Sequence, residues 1–290
     1  MSASPAPPYR GRLAPSPTGL LHVGHAQTFW IAARRAKAAN GTLVLRIEDL
    51  DRERSRLEFV SALMEDLRWL GIEWSEGPFF QSERMELYHA ALERLHAGGF
   101  VYPCVCSRRD VQSAGQAPHA ADDELIYPGT CRRRTEPPDD KSNFSWRFRI
   151  PDGEEISFVD AEWGQVKFVA GRDFGDFVVW SQRNGQETPA YQLAVAVDDA
   201  AMGITEVVRG EDLLVSTARQ LLVYRALGLK PPDFCHCPLV TNNAGERLAK
   251  RDDAMSLRAW REAGKMPEDL QASFKTPWRR PWRPSSIPSP

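Results

Sequence analysis

The segment Arg12-Leu13-Ala14-Pro15-Ser16-Pro17-Thr18-Gly19-Leu20-Leu21-His22-Val23-Gly24-His25 sets two prolines, two glycines and two histidines between a strand signal and the start of a helix. Pro15 and Pro17 hold the backbone extended, and Gly19 and Gly24 remove bulk where a ligand comes close. His25 opens an alanine-rich helical run through Ala39. N–H groups at such a helix start face an anion, and two imidazoles beside them can hold phosphate oxygens as charge develops. The segment reads as a nucleotide site.

Outward from it, Tyr9 to Leu13 enters a first strand, and Thr42 to Ile47 (TLVLRI) is an apolar, β-branched strand after the Asn40-Gly41 turn. That strand ends in the carboxylate-rich Glu48-Asp49-Leu50-Asp51. Ser55 to Leu70 and Ser82 to His96 carry apolar residues at helical spacing, with Ser82 as the expected N-cap. Alternating strands and helices predict an α/β fold with a parallel sheet and crossover helices. Between Phe100 and about Arg149 the periodicity breaks into Cys, Pro, Arg and Asp, which reads as an insertion. Ser145 to Ile150 and Gly164 to Val169 then alternate as antiparallel strands, with a short strand from Asp176 to Trp180. Tyr191 to Val197 reads as helix or strand before Asp198-Asp199. Gly203 to Val208 is a strand ending in Arg209-Gly210-Glu211-Asp212, and Ser216 to Leu227 is a helix stopped by Gly228. Functional residues are expected at the carboxyl ends of such strands.

A chain of 290 residues with 42% hydrophobic content can bury a substantial core. With 37 Lys and Arg against 39 Asp and Glu, the formal charge is only -2, so contact with RNA must come from local basic patches. No apolar run is long enough to span a bilayer, and MSASPAPPYR lacks the apolar centre of a signal peptide. A cytoplasmic location is expected, with no membrane partner.

The five cysteines are an odd number and argue against a disulfide framework. Cys104-Val105-Cys106 and Cys131, with Tyr127 four residues before Cys131, place three thiols and a phenol in one segment, and His119 is a rival fourth ligand. Such a set can hold one tetrahedral zinc in a structural role; the alternative is three thiols with no metal. Cys235-His236-Cys237 reads as core packing rather than as a metal site, because it offers one ligand pair without partners. Glu246-Arg247-Leu248-Ala249-Lys250-Arg251 is a second cation cluster, suited to a leaving pyrophosphate.

These motifs together resemble the class I aminoacyl-tRNA synthetases. His22-Val23-Gly24-His25 is similar to their "HIGH" signature. The stretch RLAPSPTGLLHVGH resembles the glutamyl form, found in glutamyl-tRNA synthetases and in their shortened relatives, the glutamyl-queuosine tRNA(Asp) synthetases. The basic cluster resembles the "KMSKS" loop. Lys250 stands in the second lysine position, while Arg247, Leu248, Ala249 and Arg251 replace the first lysine, methionine, serine and final serine. The resemblance runs from Arg12 to about Leu257 and includes the IEDLD and VVRGEDLLVST segments. It implies a Rossmann-like parallel sheet with an inserted zinc-binding and acceptor-binding-like region. It assigns ATP contact to His22, Gly24, His25 and Lys250, with His22, His25 and Lys250 catalytic. It assigns glutamate binding to Arg12, Leu13, Ala14, Pro15, Ser16, Glu48, Tyr191 and Arg209, and zinc to Cys104, Cys106, Tyr127 and Cys131. Physically, Arg12 and Arg209 suit carboxylates, Glu48 the ammonium group, and Tyr191 a donated hydroxyl. The segment His236-Cys237-Pro238-Leu239 sits where related enzymes carry a His-x-Pro segment near the adenosine.

The expected organisation is a disordered tail over 1–9, a first catalytic half over 10–99 and an insertion over 100–190. A second catalytic half with the KMSKS-like loop follows over 191–270, and a Pro/Trp/Arg-rich tail over 271–290, where Trp278, Arg279 and Arg280 offer a lesser RNA contact. The resemblance implies activation of L-glutamate with ATP and Mg²⁺, then transfer to the queuosine base of tRNA(Asp). The short chain after Lys250 favours this acceptor over a helical anticodon-binding extension. The alternatives are a truncated glutamyl-tRNA synthetase charging the 3′ end of tRNA(Glu) and a catalytically weak nucleotide- or RNA-binding paralogue.

Overall fold

The structure, a computed structural model, describes residues 7–107, 109–111, 126–139, 143–240, 256–271 and 274. Strand β1 (Arg10–Leu13) pairs in parallel with β2 (Thr42–Ile47), and β2 with β3 (Glu76–Phe80). Between β1 and β2 the chain returns through α1 (Val23–Ala38), and between β2 and β3 through α2 (Leu57–Trp69). β2 is buried from Leu43 to Ile47, as a strand covered on both faces must be, which is why its sequence is apolar nearly throughout. The turn into β2 uses Asn40 at φ 49° and then Gly41, where a Cβ would sit 2.5 Å from the Tyr9 carbonyl oxygen. Glycine is needed there because two backbones cross in contact.

Ser82 is not a helix cap. It lies in a 3₁₀ turn (Gln81–Glu83), and α3 (Met85–Ala97) starts three residues later. Its hydroxyl donates to Asp49 at 2.6 Å and its amide to the same carboxylate at 2.9 Å, so a tertiary acceptor takes the side chain that local reasoning assigned to the helix.

The antiparallel strands between residues 100 and 190 divide between two sheets. β4 (Val101–Cys104), β5 (Asn143–Phe148), β8 (Phe177–Arg183) and β9 (Gln186–Pro189) form one in the order β4-β5-β8-β9. The hairpin of β6 (Glu155–Asp160) and β7 (Gly164–Val169) joins another. There β6 meets β11 (Asp233–Cys237) in parallel through Phe234 and Asp160. Tyr191 starts a helix, α4 (Tyr191–Ala201), and Gly203, with φ 64°, turns the chain away two residues after its end. β10 therefore spans Glu206–Gly210, shifted from the expected Gly203 start. α5 (Leu214–Ala226) leads to β11, which runs parallel to β10. β10 lies against β1: the Thr205 amide donates to the Arg10 carbonyl at 2.8 Å, and Arg12 Nη1 donates to the Val208 carbonyl at 2.9 Å. The parallel sets β3-β2-β1 and β10-β11 belong to two sheets that meet where β10 lies against β1, an α/β arrangement of Rossmann-like kind. Short helices α6 (Leu257–Glu262) and α7 (Pro267–Gln271) close the described chain.

One apolar core joins α1, α2, β1 and β2 with Val208, Cys235, Cys237 and Leu257. A second joins α3, α4, α5 and the β4-β5-β8 strands. Cys235 and Cys237 are core residues, as expected. Among the described residues no helix is long and apolar enough to cross a membrane.

Buried charge ties the sequence halves together. Arg35 on α1 meets Glu206 on β10 through Nε at 2.7 Å and Nη2 at 2.5 Å, and the Tyr9 hydroxyl donates to the same carboxylate at 2.8 Å. The side chains of the pair are 2% and 1% exposed. Replacing Arg35 by Met leaves Glu206 charged and buried without its cation, so stability is expected to fall by about 3 to 5 kcal/mol, read as a lower urea midpoint.

Candidate functional site

The Pro/Gly segment leaves β1 at the carboxyl edge of the sheet and turns into α1. His22, in extended conformation, is the N-cap: its Nδ1 accepts from the Gly24 amide at 3.1 Å, and His25 Nδ1 accepts from the His22 amide at 3.4 Å. Two imidazoles thus fill the capping-box positions usually held by a hydroxyl and a carboxylate. With both Nδ1 atoms accepting, each neutral ring carries its proton on Nε2. The rings lie 3.8 Å apart between centroids. A Cβ at Gly24 would come 3.0 Å from His22 Cε1, so a side chain there pushes the first imidazole out of its capping position. His22 is also bridged to Ser256, and Leu257 donates its amide to Leu21 at 2.9 Å. Lys250 and the rest of Glu246–Arg251 lie outside the described residues, as do His119, Trp278, Arg279 and Arg280.

The carboxyl ends of β1, β2 and β10 bring Arg12, Glu48 and Arg209 to the same edge, and α4 begins there with Tyr191. Arg12 is 4% exposed, with Nε 3.6 Å from Asp199. Glu48 meets Arg46 at 3.0 Å through Oε1. Burial holds the Glu48 carboxyl above the ordinary carboxylate value, against the pull of Arg46 and Arg12. Tyr191 accepts from Arg209 Nη1 at 3.4 Å, and burial raises its phenol while the Arg209 charge lowers it. The loop between β1 and α1 contributes unequally. Ser16 is exposed and Ala14 half-buried, the Pro15 carbonyl accepts from the Glu48 amide at 3.0 Å, and the Leu13 side chain is wholly in the core. Leu13 therefore offers a ligand only its backbone.

Sequence reasoning missed the pair that holds Arg209 in place. Arg209 Nε donates to His236 Nε2 at 3.1 Å, and Nη2 donates to Thr217 Oγ1 at 2.6 Å. His236 donates from Nδ1 to Asp160 at 2.7 Å, and its amide bonds the same carboxylate at 3.1 Å. Accepting at Nε2 and donating at Nδ1 requires neutral imidazole. Burial, helped by the Arg209 charge, lowers its pKa to about 4 although Asp160 pulls the other way. The His236 side chain thus orients the arginine. Asp160 was legible as a turn residue: it accepts from the Glu162 and Trp163 amides, an Asx turn preceding Gly164.

The cysteine cluster sits beside β4. Cys106 Sγ lies 3.6 Å from Cys131 Sγ and 3.5 Å from the Tyr127 hydroxyl, and Cys104 Sγ lies 3.3 Å from that hydroxyl. Tetrahedral zinc, with bonds of about 2.3 Å to sulfur and 2.0 Å to oxygen, needs ligand edges of about 3.5 to 3.8 Å. The donor set fits one such ion. The sulfur atoms of Cys104, Cys106 and Cys131 all lie within 4.8 Å of one another, a group that could hold one metal ion.

Residues 9–287 match the family "tRNA synthetases class I (E and Q), catalytic domain". The Glutamyl-Q tRNA(Asp) synthetase of Symbiobacterium thermophilum is 48% identical over 275 residues, covering 90% of this chain and 83% of its own length. The glutamate–tRNA ligase of a Hydrogenobaculum species is 42% identical over 266 residues, covering 90% of this chain and 56% of its own. Among solved structures, a glutamate tRNA ligase from Elizabethkingia meningosepticum in complex with its amino acid is 29% identical with a TM-score of 0.71, over 85% of this chain and 52% of that one.

The His236 geometry has a pH signature. A histidine near 6.5 when unfolded and about 4 when folded contributes stability that is present above pH 6.5 and lost as pH falls toward 4. His236→Asn lacks this contribution. The stability gap between wild type and variant is expected to shrink by on the order of 2 to 3 kcal/mol from pH 7 to pH 4.5, measured by urea unfolding. An unchanged gap refutes the neutral, buried imidazole.

Proposed function

The chain belongs to the class I tRNA synthetases of the glutamate and glutamine group, and we propose that it activates L-glutamate with ATP and transfers the glutamyl group to the queuosine base of tRNA(Asp). The observation that carries the amino-acid assignment is the cluster of Arg12, Glu48, Tyr191 and Arg209, with Arg209 locked by His236 and Thr217. Two guanidinium groups match two carboxylates, and one carboxylate matches one ammonium group, which is the charge pattern of glutamate.

In the activation step an α-carboxylate oxygen of glutamate attacks the α-phosphorus of ATP. The bond from that phosphorus to the bridging oxygen breaks, and pyrophosphate leaves with the electron pair. Arg12 and Arg209 hold the substrate carboxylates, Glu48 the ammonium group, and the Tyr191 hydroxyl donates to the side-chain carboxylate. Ala14, Pro15 and Ser16 line the entry from the loop, and Leu13 supports it from the core. His22 and His25 donate Nε2–H to phosphate oxygens without needing a second proton, and Gly24 keeps their backbone close. Lys250 acts on the leaving pyrophosphate. Mg²⁺ accompanies ATP and offsets its phosphate charge. Cys104, Cys106, Tyr127 and Cys131 would hold one zinc ion, which would fasten the β4 region. A hydroxyl of the queuosine base then attacks the anhydride carbonyl, the bond from that carbon to the phosphate oxygen breaks, AMP leaves with the electron pair, and the hydroxyl proton passes to a phosphate oxygen or solvent.

The acceptor is supported by the names of similar proteins: Glutamyl-Q tRNA(Asp) synthetases at 44 to 48% identity. Glutamate–tRNA ligases at 42 to 43% support the second reading, in which the 3′ end of tRNA(Glu) is charged. A cytoplasmic location follows from either substrate RNA.

Labelled glutamate with ATP is expected to enter tRNA from cells that make queuosine and not tRNA from cells that lack it; equal labelling of both assigns the 3′ end instead. Arg209→Glu is expected to lower glutamate-dependent pyrophosphate exchange by at least about a hundredfold, because it sets one carboxylate against another in a partly desolvated pocket. ATP affinity stays near wild type. Normal exchange in this variant would place Arg209 outside the pocket.

A further inference from the structure

Arg147 stands on β5 opposite Tyr102, two residues from Ser145, the partner of Cys104 across the β4-β5 ladder. Its Nε–H donates to Cys104 Sγ at 3.2 Å. Its guanidinium carbon lies 3.9 Å from the centre of the Tyr127 ring. Its Nη1 donates to the Asp176 carbonyl at 3.0 Å. One side chain therefore touches two of the four candidate metal ligands and is itself pinned by a third element. Asp176 is pinned in turn, accepting from the Tyr102 hydroxyl at 2.5 Å and the Ile150 amide at 2.9 Å, with Arg132 Nε at 3.1 Å.

We infer that Arg147 is an outer ligand-positioning residue of the cysteine cluster, holding Cys104 Sγ and the Tyr127 ring in register for one zinc ion and offsetting the excess negative charge of the ligands. This rests on the metal reading above. Three thiolates alone exceed the charge of a divalent cation, and the guanidinium places a positive charge beside them. A hydrogen bond to a ligating sulfur fixes the direction of its lone pairs, and groups outside the ligand shell that do this commonly change metal affinity by about 10 to 100-fold. The Tyr127 hydroxyl is fixed from its other side as well, because the Cys131 amide donates to it at 2.9 Å. The ring and the hydroxyl are thus held by different groups, so removing Arg147 loosens the Tyr127 ligand without removing it. Lys cannot replace Arg here: it keeps the charge but has neither the fork that reaches Cys104 and Asp176 together nor the flat face that lies on the ring.

The test is zinc competition against a colorimetric chelator, with wild-type protein, Arg147→Gln and Arg147→Lys, each checked for folding by circular dichroism. The cobalt-substituted visible spectrum reports ligand geometry independently of global stability. Wild type is expected to bind about one zinc per chain, Arg147→Gln at least about tenfold more weakly, and Arg147→Lys between them, with a shifted cobalt spectrum in both variants. Either variant binding zinc within twofold of wild type with an unchanged cobalt spectrum overturns the role of Arg147. If Arg147→Gln does not fold, the comparison of Lys with wild type decides alone. A wild-type protein that takes no zinc refutes the metal reading itself, a result distinct from equal binding by all three.

Discussion

Arg46 holds its positive charge with no exposure to solvent, and the geometry of the site depends on how that charge is met. It projects from β2 to α4, where Nη1 meets Asp199 at 2.6 Å and Nε lies 3.7 Å from Asp198, while Nη2 reaches Glu48 at 3.0 Å. Asp198 also accepts from Gln81, Arg84 and Tyr88 at 2.7 to 2.8 Å, and Asp199 lies 3.6 Å from Arg12. Arg12, Arg46 and Arg84 thus face Glu48, Asp198 and Asp199, three cations against three anions. Burying these charges is tolerable only because they are paired and hydrogen-bonded. The arrangement holds Glu48 and Arg12 in fixed positions at the carboxyl edge of the sheet.

The same logic recurs at Arg209, with a neutral group in place of an anion. Asp160 holds His236, His236 accepts from Arg209, and Thr217 takes a second N–H, which leaves Nη1 beside Tyr191. A carboxylate directly on Arg209 would neutralise its charge, whereas a neutral imidazole orients the arginine without doing so. Two arginines of the pocket are therefore tethered differently, Arg12 near an aspartate and Arg209 on a histidine.

Much of the fold was legible in local patterns. TLVLRI reads as a buried strand because its apolar run is short and β-branched, and the alanine-rich run after His22 reads as a helix because nothing in it breaks the period. Of the strands that escaped notice, EISFVD in β6 does alternate, whereas others have weak local signals. EGPFF carries Gly and Pro, and DFCHC is five residues with a polar centre; both are strands because they border strands already in place. Ser82 failed as a cap for the same reason, since Asp49 lies 33 residues away in sequence and only the fold brings it near.

By itself, the sequence carried the family motifs and the parallel alternation of strands and helices; the resemblance to the glutamyl synthetases singled out Arg12, Glu48, Tyr191 and Arg209, and short spacing singled out Cys104, Cys106, Tyr127 and Cys131. Only the tertiary structure decided that Leu13 turns inward, that the two histidines cap α1, and that the Tyr127 hydroxyl lies within 3.5 Å of Cys104 and Cys106. It alone joined Asp160, His236 and Arg147 to the residues they orient, across 76 positions from Asp160 to His236 and 43 from Arg147 to Cys104. Spacing along the chain records local geometry, whereas a buried charge or a ligating sulfur finds its partner wherever packing brings one close.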